Sequence, residues 1–198
     1  MTYTSNQLEW LQIILQERLS THLSLKVLND KLAVITLPSS TKRIEIMLDP
    51  LTFVKGDSSM LMGSWFPESE GWLASPLGPD LPAPGLLKGE NKLINKTKEG
   101  YCIKYDILGL IFWMLTRIEE IEHTSFDYHD RFSAYASHAF KNGYLERPIV
   151  DEWLVILEQI IKRLWPSHDL VKKEFKIKLS HDVDVVSRYH FATPYNTI

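Results

Sequence analysis

The chain has 198 residues, 44% of them hydrophobic and 24% charged, a balance that argues against disordered and fibrous classes and allows one sizeable core. With 22 Lys and Arg against 25 Asp and Glu, the formal net charge is -3, so no basic excess exists to neutralise phosphates and a generic nucleic-acid binder is disfavoured. The one cysteine, Cys102, argues against a disulfide framework or a cysteine-rich zinc site and reads as a core thiol.

In chain order, the first element is a helix: Leu8, Leu11, Ile14, Leu15 and Leu19 recur at helical spacing, and Thr4 with Gln7 fits a capping box. Three short strands follow. Leu23, Leu25 and Val27 alternate with polar neighbours; Lys31 to Leu37 is apolar and β-branched after a turn at Asn29-Asp30; Ile44, Ile46 and Leu48 alternate before Asp49-Pro50 stops the strand. From Gly56 to Gly100, prolines and glycines are dense, which predicts a long irregular segment pinned to the core by Trp65, Phe66 and Trp72. Asp106 is the expected N-cap of a strongly apolar helix reaching Ile121, and a second helix runs from about Pro148 to Trp165. A final strand is expected from Lys173, with Phe175, Ile177 and Leu179 on one side.

The expected fold class is α+β, with helices packed on a small, mostly antiparallel sheet. The longest apolar run, Ile107 to Leu115, is nine residues, against the roughly 20 a membrane span needs. With no basic start or apolar leader at Met1, the expected location is cytoplasmic.

The final strand runs into His181-Asp182-Val183-Asp184. Residues two apart in extended chain share a side, so Asp182 and Asp184 converge, and two close carboxylates repel unless a proton or cation lies between them. A divalent metal resolves that conflict, with one carboxylate as ligand and the other as base toward a bound water. An Asp-x-Asp at a strand end also serves as a simple turn or cap. Strict alternation places Lys176 and Lys178 on the same side as the two aspartates.

No two histidines stand three or four apart, so no helical zinc pair exists. His123, Asp127, His129 and Asp130 crowd one loop, which reads either as a metal cluster or as a solvated turn. Arg117 and Glu120 are spaced to pair across one turn, either as an exposed pair of little worth or as a structural junction.

Leu179-Ser180-His181-Asp182-Val183-Asp184 resembles the first motif of NodB-like polysaccharide deacetylases, in the variant reading Thr-His-Asp-Val-Asp. Upstream, five further stretches look like the domain that precedes the deacetylase in such bacterial proteins. They are Tyr105-Asp106-Ile107, Met114 to Glu120, Asp130-Arg131-Phe132, Lys141 to Leu145 and Arg147 to Trp153. By position, Asp182 resembles the catalytic base and Asp184 the metal ligand of that family. The resemblance implies an accessory domain over 1–172 and, over 173–198, the first strand of a (β/α) barrel that is otherwise missing. It further implies hydrolysis of an N-acetyl group on a glycan substrate with a divalent metal, zinc above all. The histidines that complete the site in the family have no counterpart here, so this chain is expected to be inactive and to hold no metal tightly alone, with the remaining deacetylase domain as its partner. The alternative is a non-catalytic glycan- or protein-binding module, motivated by tryptophans on the 63–87 segment that suit sugar stacking.

Overall fold

The chain enters its first helix through a reciprocal cap. Thr4 Oγ1 accepts from the Gln7 N–H at 3.3 Å while Gln7 Oε1 accepts from the Thr4 N–H at 2.8 Å, and α1 (Ser5–Leu19) follows. The computed structural model describes residues 3–38, 40–86, 92–124, 126–168, 170 and 175–181. Leu11, Leu15 and Leu19 are the buried stripe of α1, as their spacing predicts.

Three strands form the expected meander: β1 (Ser24–Asn29), β2 (Leu32–Thr36) and β3 (Arg43–Met47), each antiparallel to the next. The register of β1 shifts between Val27 and Asn29, a bulge in an edge strand. The 56–100 stretch is not irregular throughout, contrary to expectation. It holds β4 (Met62–Trp65), a 3-10 helix over Pro67–Glu70, β5 (Leu81–Pro84) and β6 (Ile94–Lys96), and β7 (Gly100–Ile103) begins at its end. β4 and β5 form a separate antiparallel pair. The main sheet has the order β1-β2-β3-β7-β6, with β7 parallel to β3 and antiparallel to β6. The architecture is therefore α+β with a mostly antiparallel sheet.

Prolines obscure β5 because they remove ladder donors, yet their carbonyls are used. Trp153 Nε1 donates to Pro82 O at 2.9 Å, and the Tyr105 hydroxyl donates to Pro84 O at 2.8 Å. Trp65 and Tyr105 both stack on Trp153, with ring centroids 5.3 and 4.4 Å away. Trp65 and Trp72 are thus core residues, and the sugar-stacking role that motivated a binding module has no exposed tryptophan to rest on in this segment. Arg163 caps the Trp72 ring at 3.9 Å.

Asp106 caps α2 (Ile107–Leu115), accepting from the Gly109 N–H at 2.7 Å. The helix ends six residues before Ile121, the predicted end. Thr116 Oγ1 donates back to Phe112 O at 2.6 Å, and Arg117 turns into the left-handed region at φ 56°. A short α3 (His138–Lys141) precedes α4 (Ile149–Leu164), whose buried face matches the predicted stripe. Cys102 is half-buried on β7, not a core thiol, and burial pushes its pKa up. Residues 175–181 carry no strand. A strand exists only when a neighbour accepts its backbone hydrogen bonds, and no described strand of this chain pairs with them.

Gly100 is where β7 meets β3, at φ 151°, and a Cβ there would lie 2.1 Å from Arg43 O. Gly100→Ala should therefore cost about 2–4 kcal/mol, read as a lower urea midpoint. An unchanged midpoint would contradict the close approach.

Candidate functional site

Asp182 and Asp184 lie outside the described residues. The approach to them is described: Phe175, Ile177 and Leu179 are 90%, 72% and 84% exposed, and His181 is exposed as well.

The His123 loop is a packed turn. Asp127 Oδ1 accepts from the His129 and Arg131 N–H groups at 2.8 and 3.0 Å, and its Oδ2 meets the Arg131 guanidinium at 3.2 Å. Those donors, with the Arg131 N–H foremost, hold the carboxylate below its ordinary range. The His123 ring packs edge-on against Phe126 and Phe132. Among the described residues, no group of three or more His, Cys, Asp or Glu could hold a metal ion. The Arg117–Glu120 pair forms as spaced, with Arg117 two-thirds exposed.

Four of the five upstream stretches, separate in sequence, converge on one open cleft of about 320 Å³, and Tyr105 to Ile107 does not line it. Arg117 and Glu120 reach it from beyond α2, Phe132 from the loop, Leu145 from after α3, and Arg147 from before α4. Arg147 is held rigidly. Its Nε and Nη2 grip both oxygens of Glu152 at 3.1 and 2.7 Å, and Nη2 also donates to Asp80 O at 2.9 Å. The two side chains are only 18% and 5% exposed, so this fork is a desolvated ion pair and loss of either partner strands a buried charge.

Behind the cleft lies a polar network that sequence patterning does not signal. His138 is fully buried. Its Nε2 lies 2.8 Å from Met60 O, which can only accept, so Nε2 carries the proton and Nδ1 accepts from the Tyr144 hydroxyl at 2.6 Å. Burial lowers the His138 pKa and raises that of Tyr144. Glu119 Oε2 accepts from the His138 backbone N–H at 2.9 Å and from Ser58 Oγ at 3.1 Å. Serine, acid and histidine are neighbours here, yet the imidazole touches neither Ser58 nor Glu119 through its ring nitrogens. The group clamps loop 58–60 to α3 and is not a nucleophile–base relay.

Asp106 is the most perturbed acid. Burial, opposed by hydrogen bonds from the Asp49 and Gly109 N–H groups, lifts its pKa to about 7. Two small clefts of about 220 and 150 Å³ flank Asp49, but the Asp106 side chain is committed to capping α2 and to holding the Asp49 backbone. Gly109 leaves room for it, since a Cβ there would lie 2.7 Å from Asp106 Oδ2 and 2.4 Å from the Phe53 ring.

A family model described as a family of unknown function (DUF7033) matches residues 2–166. The chain belongs to that family. No curated protein and no solved structure matches it. The DUF7033 match spans every helix and strand from α1 to α4, the convergent cleft included, and stops before Asp182. No helix among the described residues is long and apolar enough to cross a membrane.

Two predictions follow from the buried groups. Asp106 binds its proton more tightly folded than unfolded, so its contribution is full below about pH 3.8 and is lost as pH rises through about 7. The stability gap between wild type and Asp106→Asn should be widest near pH 4 and narrow toward pH 8; a gap that widens with pH would contradict this. For His138, nitrogen NMR should show a neutral ring protonated at Nε2 at pH 6.5, the ordinary histidine value, and Tyr144→Phe should cost about 1–3 kcal/mol by leaving Nδ1 unpaired.

Proposed function

We propose that this chain is the N-terminal portion of a metal-dependent N-acetyl sugar deacetylase of the NodB-like kind, inactive by itself, with a glycan as substrate and the cytoplasm as its place of action. The observation that carries the reading is the series Leu179-Ser180-His181-Asp182-Val183-Asp184 set directly behind the domain and entered by Phe175, Ile177 and Leu179, apolar side chains at period two that stand almost wholly in water. Each would gain about 1.5–3 kcal/mol from burial, and a strand placed in a larger sheet is the arrangement that buries one such face.

In this reading Asp182 takes the proton of the water that attacks the acetyl carbonyl carbon, and Asp184 holds a divalent metal. Two carboxylates suit such a cation in kind but are too few to cage it, so its other ligands come from further segments of a complete enzyme. When bound, the metal supplies Lewis-acid polarisation of the amide carbonyl. The carbon–nitrogen bond then breaks, giving acetate and the free amine.

Two measurements test the proposal. The reading frame beyond the Ile198 codon should continue into a His-x-x-x-His segment; a stop codon there would sink the reading. With zinc and chitotetraose, this chain alone should release no acetate, and robust turnover would overturn the inactivity.

A further inference from the structure

We propose that the cleft between the end of α2, the 130s loop and the start of α4 is a saccharide-binding site of the domain itself, independent of whether a deacetylase follows. Its residues come from four distant stretches of chain, which brings chemistry together that no single element supplies.

The character of the lining selects the ligand. Each arginine already faces a glutamate, Arg117 with Glu120 and Arg147 with Glu152, and Glu119 adds another carboxylate. The cleft therefore has no surplus positive charge for a phosphate or carboxylate ligand. A wholly apolar ligand would strip water from the Arg117–Glu120 pair and return nothing. A neutral molecule rich in hydroxyls suits it. Arg117 uses Nε and Nη2 on Glu120 Oε1, so among the described residues Arg117 Nη1 and Glu120 Oε2 carry no hydrogen bond. One can donate and the other accept, the two roles that sugar hydroxyls complement. Phe132 and Leu145, the latter half-exposed, offer an apolar surface for the C–H face of a pyranose ring.

Arg117 is a non-glycine residue in the left-handed region at φ 56°, the conformation that ends α2 as Ser20 ends α1, and holding it there costs of the order of 1 kcal/mol. That gives a discriminating variant. Arg117→Gly removes the guanidinium and also the strain, so the fold should be at least as stable while binding is lost.

The test is an NMR titration of the full chain with chitotetraose, with cellotetraose, and with tetraalanine as the peptide control. Saturable shifts of the Arg117 side-chain N–H and the Leu145 methyls with at least one of the two sugars are expected, and affinity should fall at least tenfold in Arg117→Gly with no loss in unfolding midpoint. Should that variant fail to fold, Glu120→Gln should show the same tenfold loss. The proposal is overturned if neither sugar shifts these resonances at about 10 mM, if tetraalanine shifts them equally, or if the folded variants bind as wild type does.

Discussion

Buried aromatic side chains that carry a polar hydrogen must give it to an acceptor, and for two of them at the centre of this protein the acceptors are proline carbonyls. Trp153 on α4 and Tyr105 before α2 donate to Pro82 and Pro84 on the same short strand. A proline cannot donate, but its carbonyl remains free to accept. Those two bonds, with the stacking of Trp65 and Tyr105 on Trp153, fasten the small β4–β5 sheet to the helical layer. Replacing either donor would leave an unpaired carbonyl in the core, which is why a proline-rich strand is stable here.

The remaining polar contacts build outward from that anchor. Asp80, just before β5, gives its carbonyl to Arg147, and Arg147 is then fixed against Glu152 at the head of α4. Glu70 accepts from the indole of Trp65 and from the backbone of Leu93 and Ile94, tying the 3-10 helix to β6. On the far side, His138 joins Met60 to Tyr144 and so sets the position of α3 and the Leu145 turn. The cleft is thus walled by segments whose own side chains are immobilised one step behind it, the arrangement a preorganised site needs.

Local patterns made α1, the first three strands and α4 legible. The Thr4–Gln7 cap and the stripe from Val150 to Leu164 depend only on neighbours in sequence. β4 to β6 were not legible, because a strand containing Pro82 and Pro84 breaks every local rule and is supported by Trp153, some seventy positions later. α2 was read too long because Ile118 and Ile121 continue its apolar rhythm, whereas its end is set by the Thr116 back-bond and the left-handed Arg117. Arg117 and Glu120 were visible as a pair, but their meeting with Phe132, Leu145 and Arg147 is a fact of tertiary structure. His138 gave no signal, since its partners Met60 and Tyr144 lie on both sides of it in the chain. The aspartates were prominent from the start, through their spacing and the motif they resemble.

The burial of the indoles has an optical consequence. Of the six tryptophans, Trp65, Trp72, Trp113, Trp153 and Trp165 are shielded from water, and the ring of Trp113 meets the neutral imidazole of His138 edge-on at 5.8 Å. Their emission belongs at short wavelength in the native state and moves to the red only when the interior opens. The protein carries an intrinsic fluorescence gauge of its own unfolding, one that is largely blind to whatever settles on its surface.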